Sequence, residues 1–104
     1  NLKQILIFRC MTRKGDYLLN KGLGHSFDLL FGRRLSKELI EEGKQLIRNV
    51  IIYDNLIASS DLEIVGIPVD RNTILYTIII SNGSLNPYRF NLIFNMEEDT
   101  WRIE

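Results

Sequence analysis

The sequence predicts an α+β fold: an antiparallel sheet of three to four strands packed against two helices, one short and one long. Three observations carry that class. A single-sided apolar stripe with helical spacing runs from Leu39 to Ile51, behind a good N-cap at Ser36. Three stretches after Ser60 read as strands, two with apolar residues alternating and one apolar on both faces. Clusters of turn residues, Asp70-Arg71-Asn72 and Ser81 to Pro87, separate those stretches.

Taken in order, Leu2 to Cys10 reads as a strand, with Ile5, Ile7 and Arg9 alternating with Leu6, Phe8 and Cys10. Thr12 to Asp16 is a turn in which Gly15 is free to take positive φ. Tyr17, Leu18 and Leu19 form a short return strand, and Asn20 to Gly24 breaks the chain again. A short helix covers Ser26 to Phe31, stopped by Gly32. The long helix follows Ser36, with Glu38 in the first turn where the macrodipole favours acid. Leu39, Ile40, Leu46, Ile47, Val50 and Ile51 make its apolar stripe, and Gly43 lies on the same stripe. A glycine there costs about 1 kcal/mol relative to alanine, which points to the close approach of another backbone.

Asp61 to Asp70 then places Val65, Ile67 and Val69 on one strand face and Leu62 and Ile64 on the other. Thr73 to Ser81 is apolar on both faces, as a central strand is. Tyr88 to Met96 turns Phe90, Leu92, Phe94 and Met96 inward and Arg89, Asn91 and Asn95 outward.

The chain of 104 residues is read as one domain, 1–104, with 45% hydrophobic and 25% charged residues. A chain of this size buries about 60–65% of the surface its unfolded form exposes, enough for one core. Thirteen basic and thirteen acidic residues cancel, which argues against a partner held through nucleic-acid phosphates. The cancellation hides a split. Residues 1–52 carry ten Lys and Arg against five Asp and Glu, a balance of +5; residues 53–104 carry three against eight, a balance of −5. Such asymmetry suits directional contacts with charged neighbours, unless the halves interleave in the fold. No apolar run approaches the roughly 18–20 residues of a membrane span, and no secretory pattern opens the chain. With Cys10 alone there is no disulfide framework, and the protein is expected inside a cell or assembled there.

Catalytic constellations are sparse. His25 is the only histidine, and its nearest nucleophile in sequence, Ser26, cannot face it as its neighbour in the chain; a polar cap of the short helix is the better reading. A dyad of His25 with Cys10 would need the two to meet in space, and Cys10 sits mid-strand, where its thiol is expected to be buried and inert. One His and one Cys with scattered carboxylates supply no zinc site, and no cofactor is expected. Gly22-Leu23-Gly24 lacks the Lys-Ser/Thr of a phosphate loop and reads as a tight turn. A glycosidase needs only two carboxylates, with Glu41, Glu42 and Asp54 as candidates. Both glutamates occupy the wet helix face, where nothing raises a pKa.

What remains is surface for partners. Apolar strands in a small sheet leave edges to cover, which Arg9, Arg89 and Asn91 partly blunt. In the tail from Met96 to Glu104, Trp101 is either a lid on the core or an anchor for a partner's pocket. The residues from Glu97 onward are read as dispensable for folding and needed for assembly.

The order of motifs supports a resemblance. Thr12-Arg13-Lys14-Gly15-Asp16, Gly22-Leu23-Gly24 and Leu29-Leu30-Phe31-Gly32, then an amphipathic helix and a strand hairpin, together resemble the baseplate wedge family of contractile-tailed phages. That family also has members in R-type bacteriocins and type VI secretion baseplates. The likeness covers about Ile5 to Phe94. It departs from the family where a Glu-Pro-Arg triplet usually follows the long helix: here Tyr53-Asp54-Asn55-Leu56-Ile57 keeps only the acid, which implies a different docking surface. The resemblance implies a structural, non-enzymatic subunit of the virion's tail baseplate, assembled in the host cytoplasm. Its partners would be the tail sheath protein and other wedge subunits in a six-fold hetero-oligomer, with no nucleic acid and no membrane. Sheath subunits link by lending strands to a neighbour's sheet, so strand addition is the implied mode of joining. The candidate partner-binding residues are Arg13, Lys14, Asp54, Asn55, Arg89, Asn91 and Trp101. Some family members carry a lysozyme label, so the alternative is a carboxylate-dependent peptidoglycan glycosidase.

Overall fold

The two oppositely charged halves of the chain form two separate layers rather than interleaving. The computed structural model describes residues 2–16, 22–81 and 87–104. Helix α1 (Leu2–Met11), a 3-10 turn (Phe27–Leu30) and helix α2 (Lys37–Ile51) make one layer. Strands β1 (Leu62–Asp70), β2 (Thr73–Ile80), β3 (Tyr88–Asn95) and β4 (Thr100–Ile103) make the other, an antiparallel sheet in the order β1-β2-β3-β4. This is the α+β architecture expected, although the fourth strand comes from the tail instead of the first residues.

The first segment is a helix, not a strand. A short run that is apolar on every side fits either period. Burial decides it: Leu6, Arg9 and Cys10, spaced i, i+3, i+4, are buried, while Ile5, Phe8 and Met11 face outward. The helical turn brings Arg9 over the end of α2, where its guanidinium donates to the Tyr53 carbonyl at 2.6 Å and reaches towards that of Val50 at 3.5 Å. A cation there joins the Leu56 amide at the Tyr53 carbonyl and complements the negative end of α2. Arg9 is therefore a buried cap and blunts no strand edge. Thr12 closes α1 by donating from both its amide (3.0 Å) and its hydroxyl (2.8 Å) to the Phe8 carbonyl.

Gly15 takes φ +98° in the turn that follows. The return strand expected at Tyr17 to Leu19 lies outside the described residues, as do Asn20, Lys21 and most of the loop between Ser81 and Pro87. The short helix after Ser26 is a single 3-10 turn that buries Phe27 and Leu30. His25 Nδ1 accepts the Phe27 amide at 3.2 Å, the capping role expected of it.

Helix α2 forms as its stripe requires. Ser36 Oγ accepts the Leu39 amide at 3.1 Å, and Leu39, Gly43, Ile47, Val50 and Ile51 are buried. They meet Leu62 and Ile64 of β1, Ile74, Tyr76, Ile78 and Ile80 of β2, and Phe90, Leu92 and Phe94 of β3, all on one face of the sheet. The space at Gly43 is filled by a side chain, not by another backbone: a Cβ there would overlap the Tyr76 hydroxyl. That hydroxyl donates to the Ile40 carbonyl at 2.9 Å. On the other side of the same ring, a Cβ at Gly66 would lie 2.7 Å from Tyr76 Cε1 and 2.9 Å from Ile40 Cγ2.

The tail is part of the sheet. Asn95 Oδ1 accepts the amides of Glu97 and Glu98 at 3.0 Å each, and Asp99 takes φ +55°. The turn returns β4 so that Trp101 sits opposite Phe94 and Ile103 opposite Leu92. The tail thus extends the sheet by a fourth strand.

Candidate functional site

The seven candidate residues fall in three places. Arg13 and Lys14 lie where the chain leaving α1 runs beside His25. There the Lys14 amide donates to the His25 carbonyl and the His25 amide to that of Thr12, both at 2.7 Å. Arg13 stands 3.9 Å from Asp28 in an exposed pair, which contributes little to stability.

Trp101 joins this region from the sheet side. Its ring meets His25 and Phe27 edge-on, both with centroids 5.3 Å apart, and stacks near Phe94 at 6.3 Å. Of its two alternatives, the structure gives Trp101 the lid: it is half-buried against the core. His25 stacks on Phe27 at 4.5 Å beneath it. Burial lowers the His25 pKa, opposed by the nearby Asp28 charge, and the imidazole serves as a neutral acceptor.

Asp54 and Asn55 stand exposed at the corner after α2, with φ of +61° and +57°. Two successive non-glycine residues in the left-handed region cost roughly 1–2 kcal/mol each, less for short polar side chains that bond locally. Arg9 holds the carbonyl of Tyr53 immediately before them. The corner is therefore clamped from inside and presents its polar side chains outward.

Arg89 and Asn91 occupy the sheet face that the helices do not cover. The Thr77 hydroxyl donates to Asn91 Oδ1 at 3.0 Å across β2 and β3. Residues that sequence reasoning did not single out share this face: Glu63, Val65, Ile67 and Val69 of β1, Leu75 and Ile79 of β2, and Ile93 of β3. The alternation of β1 had separated Val65, Ile67 and Val69 from Leu62 and Ile64. The missing signal was which set faced the helices.

The carboxylates suggested for glycoside chemistry are arranged differently from an acid and its partner. Glu42 is exposed and paired with Arg33 in two hydrogen bonds, and these hold its carboxyl below the usual range. A general acid needs the opposite shift. Glu38, Glu41 and Glu42 line an open hollow of about 590 Å³ on the outer side of α2. Cys10 is fully buried, and burial pushes its thiol up to about 12. Among the described residues no three His, Cys, Asp or Glu side chains cluster as metal ligands, and no helix is long and apolar enough to cross a membrane. No family model, curated protein or solved structure matches the chain.

Proposed function

We propose that the chain is a structural subunit of a contractile-tail baseplate, a wedge component that joins the baseplate to the tail sheath by strand addition and starts sheath assembly. One observation carries the reading. Strand β1 runs nine residues along an edge of the sheet, with β2 its one neighbour among the described residues and Val65, Ile67 and Val69 exposed along it. An edge of that length and apolar character is a template for a partner's strand, whose main-chain bonds supply affinity and whose side chains set register. Pro68, which has no amide hydrogen, interrupts the template near its end. Sheath protein and neighbouring wedge subunits are the partners on this reading, arranged with six-fold symmetry in the virion's tail.

Co-expression with the tail sheath and wedge proteins, followed by sizing and imaging, tests it. Co-migration is expected with the wild type and is expected to weaken in Val69→Lys, which places a charge on the edge, and in Asp54→Ala at the corner. A chain that ignores every tail protein overturns the reading. A lytic assay on peptidoglycan then becomes decisive for the glycosidase alternative, and activity surviving in the double variant Glu41→Gln, Glu42→Gln removes that as well.

A further inference from the structure

Among the described residues, the sheet buries one face on the helices and has no layer over the other. Strand register defines what that face presents. Ile67 of β1, Leu75 of β2 and Ile93 of β3 form one cross-strand row. The next rows are Val65, Thr77 and Asn91, then Glu63, Ile79 and Arg89. Val65, Ile67 and Val69 are 44%, 48% and 59% exposed, high for apolar side chains on a sheet.

The charges on this face divide in an informative way. Arg102 pairs with Glu104 at 2.9 Å, and Asp70 accepts the Asn72 amide at 2.8 Å in the turn. Glu63 and Arg89 are left, and neither has an ion pair among the described residues. They stand at opposite ends of one row with Ile79 between them. Two strand spacings put their Cα atoms roughly 10 Å apart. Among the described residues this face therefore carries one positive and one negative group outside any ion pair, placed symmetrically about β2.

We propose that this face is the contact between two copies of the chain, packed sheet on sheet about a two-fold axis that runs along β2. Such an axis maps β1 of one copy over β3 of the other. Glu63 then meets Arg89 of the second copy, Ile67 meets Ile93, and Leu75 and Ile79 lie near their own equivalents. The self-complementarity that a two-fold contact demands is present in both the charges and the apolar row. The Thr77 hydroxyl, at the centre, is already satisfied by Asn91 and enters the contact without an unpaired donor. In this arrangement β1, β2 and β3 overlap their counterparts while the four-residue β4 lies outside, and three strands about 4.8 Å apart and about eight residues long present roughly 400 Å². The pair thus buries about 800 Å² in total, below a standard-sized interface, so the dimer is weak and concentration-dependent. This contact does not rest on the baseplate reading: Val65 and Ile67 are exposed in both, but strand addition extends the sheet at the β1 edge, whereas this contact covers its face.

Sedimentation of the purified chain from about 10 μM to about 1 mM is expected to show reversible dimer formation. Glu63→Arg and Arg89→Glu each place like charges at both symmetric pairs and are expected to weaken the dimer roughly tenfold or more. The double reversal Glu63→Arg, Arg89→Glu restores opposite charges and is expected to recover wild-type association. Both sites are exposed, so far-UV circular dichroism should be unchanged. Leu75→Cys should be joined to its equivalent by a short bis-maleimide, which spans the roughly 10 Å between facing strands, because Cys10 is buried and does not compete. A wild type that stays monomeric throughout overturns the proposal, as does a dimer indifferent to the single reversals or not recovered by the double one.

Discussion

The guanidinium of Arg9, near one end of the chain, donates to the carbonyl oxygen of Tyr53 at 2.6 Å and lies 5.6 Å from the centre of the Tyr53 ring. This contact ties α1 to the end of α2 and fixes the first residue of the corner that carries Asp54 and Asn55. It also explains how a charged residue comes to be only 7% exposed, since its charge is met by backbone carbonyls at the end of α2 and in the turn after it.

Replacing Arg9 with methionine keeps much of the side-chain volume but removes the charged donor. The expected cost is about 2 kcal/mol, the range for hydrogen bonds to charged groups, read as a lower urea midpoint. Lysine should recover part of it, having the charge but not the fork. An unchanged midpoint in Arg9→Met would mean that the cap contributes nothing.

Gly43→Ala normally stabilises a helix by about 1 kcal/mol. Here the added methyl meets the Tyr76 ring and hydroxyl, which are fixed by the bond to Ile40. Overpacking of that kind costs about 1–3 kcal/mol, so the net effect is expected to be destabilising. Thermal unfolding of the variant decides the sign.

Trp101 is the only tryptophan, so its emission reports the state of the β3–β4 hairpin directly. Trp101→Ala uncovers Phe27 and Phe94 and is expected to cost about 2–3 kcal/mol, below the range for a fully buried tryptophan. Removing residues 97–104 takes away the whole strand and should leave a chain that unfolds at a much lower urea concentration. A truncated chain as stable as the full one would contradict the place given to β4.

Burial lowers the His25 pKa from its ordinary 6.5, with Asp28 and Asp16 opposing the shift and Arg13 adding to it. The unfolded chain therefore takes up the proton first as pH falls. Stability is expected to drop as pH falls through the ordinary value of 6.5 that the unfolded chain keeps, and the slope should flatten once pH is below the lowered folded value. The depressed carboxylates Glu42 and Asp70 lose their contributions only at lower pH. His25→Asn, which keeps an acceptor for the Phe27 amide but does not titrate in this range, should remove the dependence in paired urea titrations.

Helix α2 was readable because its stripe is confined to one side and begins at a side-chain cap. Strands β1 to β3 were readable because turn residues bound alternating runs. Helix α1 was not, since Leu2 to Cys10 fits both periods. What settles it is Arg9 reaching Tyr53, 44 positions away, a tertiary contact that no local pattern contains. Strand β4 is four residues long and needs Phe94 opposite Trp101 before it exists. The corner at Asp54 and the outward setting of Arg89 and Asn91 followed from element boundaries. The match between Glu63 and Arg89 did not, because it arises only when two hairpins bring β1 and β3 to opposite sides of β2.

The Tyr76 ring fills a slot whose two walls are Gly43 on the helix and Gly66 on the neighbouring strand. Neither wall can acquire a methyl group while the ring stays, and the ring cannot shrink without leaving a void between helix and sheet. Positions 43, 66 and 76 are thus one unit of inheritance. In related chains a side chain at either glycine position should coincide with a smaller residue at 76, and all three should change along the same branches of a lineage.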